Sequence, residues 1–216
     1  MNNHRFFIRW TVSFLLAAAG VGLCYALVDI PLARWAHQHQ LRQFGIFHGL
    51  QMASDLLNVL VVPTLLVVGW RRFRRHQFSV ADRLAWQAAL AVGAVSLLKY
   101  PLKFAFGRAW PETFYHDNPS LLSHGVYGFF PFHGAAYSSF PSGHAAVAAA
   151  AAAVIWHYAP RFQGLAVGLW VAVAVGLLGA YYHFASDILA GTWLGLWVAA
   201  WVIRLDPAAP DPIVAP

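Results

Sequence analysis

Pro141-Ser142-Gly143-His144 opens an apolar stretch, and His183 with Asp187 stands about forty residues further on, at the mouth of another. A Ser-Gly-His turn at a helix start offers backbone N–H groups, a hydroxyl and the positive end of a helix dipole, a set that suits a phosphate. A histidine followed four residues later by an aspartate puts both on one helix face, where the carboxylate orients the imidazole. Two histidines converging on one phosphate supply a nucleophile and an acid.

Cationic residues precede this pair. Lys103 ends an apolar stretch and is followed by Gly107-Arg108, with Lys99 one helical turn deeper. Taken alone, Lys103 is as well explained by snorkelling to the interface. Beside Gly107-Arg108 and on the face of two histidines, phosphate binding is the better reading. Asp187 lies about one turn inside the last apolar stretch, where an unpaired carboxylate is costly, so a partner is expected and His183 is the obvious one. His116, His124 and His133 are irregularly spaced, which reads as rim histidines rather than a metal site. No metal and no cofactor are expected.

These residues must be positioned by apolar helices. The 216 residues are 60% hydrophobic and 10% charged, against about a quarter charged in soluble domains. Six candidate spans follow: Phe7 to Val28, Leu56 to Trp70 with an earlier start near Phe47 open, Leu84 to Phe106, Gly143 to Tyr158, Phe162 to Tyr182, and Phe184 to Ile203. The fold expected is an all-α polytopic membrane bundle of six transmembrane helices, one domain over 1–216, with a Pro/Ala-rich tail at 207–216 expected to be disordered. The fourth span, mostly alanine and valine, is expected to pack inside the bundle.

The net charge of +6 comes mainly from residues flanking the spans, which argues against nucleic acid as a partner. Arg5, Arg9, Arg71, Arg72, Arg74, Arg75, Arg83, Arg161 and Arg204 fall on one side if the spans alternate, and that side is expected to be cytoplasmic. Ser142, His144 and His183 then share the outer face, periplasmic in a bacterium. The single cysteine, Cys24, excludes an internal disulfide.

Over about Leu84 to Ile203 the chain resembles the type 2 phosphatidic acid phosphatase superfamily, whose membrane members remove phosphate from lipids. Pro141 to His144 match its second motif, Pro-Ser-Gly-His, in full. His183 and Asp187 match the His and Asp of its third. Two departures stand out. Trp110-Pro111 falls where the first motif, counted from Lys103, has Arg-Pro, and Leu177 falls where the third motif has arginine. The resemblance implies a two-step phosphoryl transfer. His183 attacks phosphorus to form a phosphohistidine, Asp187 fixes its tautomer, and His144 protonates the leaving oxygen and then activates water. Lys103, Arg108, the Ser142 hydroxyl and the Gly143 N–H are expected to hold the phosphate oxygens, with Arg108 replacing the missing arginines. The partners implied are a lipid phosphate and the bilayer; the oligomeric state is open. The expected function is a lipid phosphate or pyrophosphate phosphatase of the bacterial inner membrane, acting on the outer leaflet. A lipid-to-lipid phosphotransferase and a catalytically weak lipid-binding or transport protein stay open. The aromatic residues between Trp110 and Phe140 read equally as an interfacial belt and as a lid over the headgroup.

Overall fold

A computed structural model describes residues 3–75, 77–114 and 117–206. The tail at 207–216, Tyr115 and His116 lie outside the described residues. The helices are α1 (Asn3–Leu23), α2 (Asp29–Gln38), α3 (Gly45–Arg75), α4 (Val80–Phe106), the short α5 (Leu121–His124), α6 (Gly143–Tyr158), α7 (Gln163–Gly179) and α8 (Ala185–Leu205). The architecture is all-α, as the apolar stretches require.

Among the described residues, five helical runs are long and apolar enough to cross a membrane. The sixth expected span, α6, has 16 residues, about 24 Å of helix against a hydrocarbon core of about 30 Å. Its alanines 145, 146, 148 and 150 are fully buried, and it packs against α3, α4, α7 and α8. Small side chains let the helices approach closely where no hydrophobic force separates them from lipid. A Cβ on Gly191 of α8 would lie 2.2 Å from the Ser142 carbonyl oxygen, and one on Gly195 would lie 2.1 Å from that of Ala146. The chemistry-bearing end of α6 is thereby pressed against α8.

Two expected boundaries shift. The first span does not end at Val28: a π-helical turn, Cys24–Val28, joins α1 to α2, and the helical run continues to Gln38. The second takes the earlier start that the sequence left open near Phe47: it begins at Gly45 and runs through Pro63. The stretch from Asp29 to Gln51 is therefore mostly helix, and Asp29 at its start is buried in the bundle.

The arginine-rich ends are tied to acids. Ser79 caps α4 by accepting from Asp82 N–H at 3.0 Å, and Arg71 reaches Asp82 at 3.2 Å. Arg83 reaches Asp206 at 3.3 Å, beside a bond from the Tyr158 hydroxyl to the same carboxylate. At the opposite ends, the segment between α4 and α6 folds over the helix termini. Gly107 opens it at φ +54°, and a Cβ there would lie 1.8 Å from the Phe130 carbonyl oxygen, so only glycine permits this turn.

Candidate active site

His144 is the second residue of α6, and His183 lies in the turn between α7 and α8. Their rings face each other with centroids 6.1 Å apart. Both border a cavity of about 430 Å³ together with Lys99, Lys103, Trp110, Gly143 and Asp55. The first N–H groups of a helix have no partner within it, and the first two residues of α6, Gly143 and His144, both border the cavity. Lys103 donates to the Ser138 carbonyl and lies with its Nζ 5.4 Å from the centre of the Trp110 ring. Trp110 in turn lies 5.5 Å, centre to centre, from the His183 ring. It forms a wall of the cavity, with its indole N–H donated to the Ala136 carbonyl at 2.9 Å.

His183 is 3% exposed and Asp187 is fully buried. The His183 Nδ1 lies 3.5 Å from Asp187 Oδ2, which leaves Nε2 as the nitrogen available for chemistry. His183 precedes α8 instead of standing on one of its faces, because Phe184 caps that helix. Asp187, in the first turn, accepts the Phe184 N–H at 3.0 Å and the Ser139 hydroxyl at 2.6 Å. The four-residue spacing still brings histidine and carboxylate together, through a capped turn. Burial pushes the His183 imidazole down to about 4, with Lys103 and His144 adding to that against the pull of Asp187. The ring is therefore neutral at ordinary pH, as a nucleophile must be.

Arg108 is not placed with the cavity residues, and the expectation that its fork meets the phosphate is corrected here. The side chain is fully buried. One guanidinium nitrogen donates to Asp187 Oδ1 and, at 2.6 Å, to Ser186; the other donates to Asp29 Oδ2 at 2.7 Å. Its carbon lies 4.5 Å from the centre of the Phe184 ring and 5.0 Å from that of Phe129. Burial opposes the charge, but Asp187 and Asp29 outweigh it and hold the guanidinium above arginine's ordinary value. The physical reason is direction. The turn at Gly107 sends Arg108 behind His183, where two carboxylates need a cation, and Trp110 takes the cavity side.

Ser142 is also fully buried, and its hydroxyl caps α6 by accepting from Ala145 N–H at 3.3 Å. It shapes the helix start and does not border the cavity. Leu177, at a missing arginine position, is fully buried in a cluster with Val173, Ala145 and Ile188. Of the rim histidines, His124 bonds Asp117 at 3.0 Å and His133 bonds the Pro131 carbonyl at 2.9 Å. Two acids were missed from sequence, and Lys99, one helical turn deeper than Lys103, was not counted among the phosphate-binding residues. Asp55 of α3 lies 3.2 Å from His144 Nε2, Lys99 faces the cavity, and Asp29 neutralises Arg108. The only signal for the two acids was a carboxylate close to an apolar stretch.

Comparisons with known proteins show the family and the fold. The family model of the PAP2 superfamily matches residues 84–210. A lipid A 1-phosphatase of Rhizobium etli is 28% identical over 199 residues, 88% of this chain and 82% of that protein. A lipid A 1-phosphatase of Rhizobium johnstonii is 38% identical over 199 residues, 88% of this chain and 78% of that protein. The crystal structure of a transmembrane PAP2 type phosphatidylglycerolphosphate phosphatase from Bacillus subtilis matches with a TM-score of 0.57 at 22% identity, covering 92% of this chain and 94% of its own, a likeness of fold. Apolar helices, two facing histidines and these relatives together make the chain a membrane lipid phosphatase, and it belongs to the PAP2 superfamily.

Proposed function

We propose that this protein hydrolyses a lipid phosphate monoester on the outer leaflet of a bacterial inner membrane, through a phosphohistidine on His183. The observation that carries the reading is the pair of facing imidazoles in a cavity lined by two lysines, one imidazole held at Nδ1 by a buried carboxylate. In the first step the His183 Nε2 lone pair forms the bond to phosphorus. The bond from phosphorus to the lipid oxygen breaks, and that oxygen takes a proton from His144. In the second step His144 takes a proton from water, the hydroxide oxygen attacks phosphorus, and the N–P bond breaks to release phosphate and neutral His183.

Charge spreads over the equatorial oxygens in the transition state. Lys99, Lys103 and the N–H groups of Gly143 and His144 meet it there. Arg108 acts one layer back. It holds Asp187, which holds His183. The names of the two Rhizobium relatives direct the substrate reading to the 1-phosphate of lipid A.

The test is phosphate release by detergent-purified protein from lipid A, phosphatidic acid, phosphatidylglycerol phosphate and undecaprenyl pyrophosphate. The expected result is release highest from lipid A, with an acid-labile phosphoenzyme absent from His183→Ala. Transfer of labelled phosphate to a second lipid without release would instead show a phosphotransferase. The outer-face orientation is supported by the arginine-rich ends of α3 and α4, opposite the cavity. A cysteine replacing exposed Ser123, in a Cys24→Ala background, should react with an impermeant thiol reagent in intact spheroplasts. Reaction only after lysis would place the site on the cytoplasmic face.

A further inference from the structure

Asp55 is an unexpected acid at the cavity. It stands on α3, a membrane-spanning helix, yet its side chain is 56% exposed. A carboxylate at membrane depth is costly unless it faces a wet cavity and has a partner there. Its Oδ1 lies 3.2 Å from His144 Nε2, and the His144 side chain is 30% exposed. The residue lies outside the stretch 84–210 that the family match covers, and it is joined to His144 only by the packing of α3 on α6.

The structure assigns Asp55 as the positioning residue of the general acid: it accepts the Nε2–H of His144 and keeps that ring oriented toward the leaving oxygen. This inference rests on the proposed role of His144 as the acid. An imidazolium carries two N–H groups. Asp55 accepts the one on Nε2, and the other is the proton given to the lipid oxygen as the P–O bond breaks. In the second step the same carboxylate stabilises the imidazolium that forms when His144 takes a proton from water.

Charged groups surround His144 in the cavity. Lys99 and Lys103 face it from α4, and His183 faces it from the turn before α8. Asp55 on α3 is the acidic side chain bordering the same cavity. The two catalytic histidines thus each have a carboxylate, with different consequences. Asp187 is buried and shared with Arg108, and it serves a ring that must be neutral. Asp55 is half in solvent and serves a ring that must be charged.

The experiment compares two leaving groups under single-turnover conditions, following phosphoenzyme formation from a lipid phosphate and from 4-nitrophenyl phosphate. An alkoxide needs the proton; nitrophenolate hardly does. Asp55→Asn should slow phosphoenzyme formation from the lipid ~10²-fold, the lower end for loss of general acid help. The loss with the aryl phosphate should be at least tenfold smaller, and Asp55→Glu should restore part of the lipid rate. In a His144→Ala background, Asp55→Asn should cost nothing further with the lipid. An equal loss for both leaving groups, or an added loss in the His144→Ala background, would overturn the assignment. If His144→Ala itself slows both substrates equally, His144 is not the acid and the proposed mechanism falls with the inference. If His144→Ala discriminates between leaving groups and Asp55→Asn does not, the role of Asp55 alone is refuted.

Discussion

The two sides of His183 are built on opposite principles. Behind it lie Asp187, Arg108, Asp29, Ser139 and Ser186, each at most 1% exposed. Their hydrogen bonds run from α1–α2 through the α4–α6 segment to α8. In front of it lie Lys99, Lys103, His144 and Asp55, partly exposed around an open cavity. The buried side has one cation between two carboxylates and nothing that must move. The cavity side keeps its charges wet, where a dianion can displace water and a proton can be passed. Buried charge held by direct partners is rigid, but losing one partner leaves the others uncompensated. Exposed charge contributes little to folding and can be spent on substrate.

Several changes would break or sharpen that contrast. The largest effect is expected at the residue between the two sides. His183→Ala should lower turnover on the order of 10⁴-fold or more, because nucleophile loss removes the whole covalent route. Melting in detergent should change little, since the ring's one carboxylate keeps its other donors.

On the buried side, Arg108→Ala should lower stability by about 3–5 kcal/mol, the cost of stranding buried acids. Turnover should fall as well, as Asp187 loses its anchor. Arg108→Lys should recover little, since a single ammonium cannot bridge Asp187 and Asp29 as a fork does. Asp29→Asn should cost less, ~1–3 kcal/mol. Thermal unfolding of each variant decides the matter. An Arg108→Ala protein with parental melting and a raised KM would put the guanidinium on the cavity side after all.

On the cavity side, Lys99→Ala and Lys103→Ala should each lower kcat/KM by on the order of 10²-fold, as for one transition-state donor. The melting temperature of Lys99→Ala should stay within a degree or two of the parent, and that of Lys103→Ala should fall more, since Lys103 also donates to the Ser138 carbonyl. Loss of folding in Lys99→Ala would contradict the division.

The smallest effect is on pH dependence. The folded value of His183, about 4, lies below its ordinary 6.5. The unfolded chain therefore takes up this proton first as pH falls. Stability present above about pH 6.5 is lost progressively down to about pH 4. Unfolding followed from pH 8 to 4 should show that decline in the parent and a weaker one in His183→Ala. The acid limb of kcat/KM should lie nearer 4 than 6.5; a limb at 6.5 in parent and variants alike would point to another group.

Sequence and structure divide the protein unevenly. The helical membrane class was legible because apolar length and scarce charge permit little else in a bilayer. His144, His183 and Asp187 were legible because a capped helix start and a four-residue spacing are local, and local geometry survives whatever packs around it. The packing of α6 inside the bundle was foreshadowed by its alanines. What spacing could not convey is where a long side chain turns once helices pack. Arg108 reads as cavity-facing two residues from Trp110, yet the backbone at Gly107 sends it behind His183, toward an aspartate 79 residues earlier. Asp55 and Lys99 belong to helices whose relation to His144 exists only after α3, α4 and α6 have packed. Chemistry written within one turn of chain was determined by the sequence itself; the partners that tune it come from distant segments, and only tertiary packing decided which charge meets which.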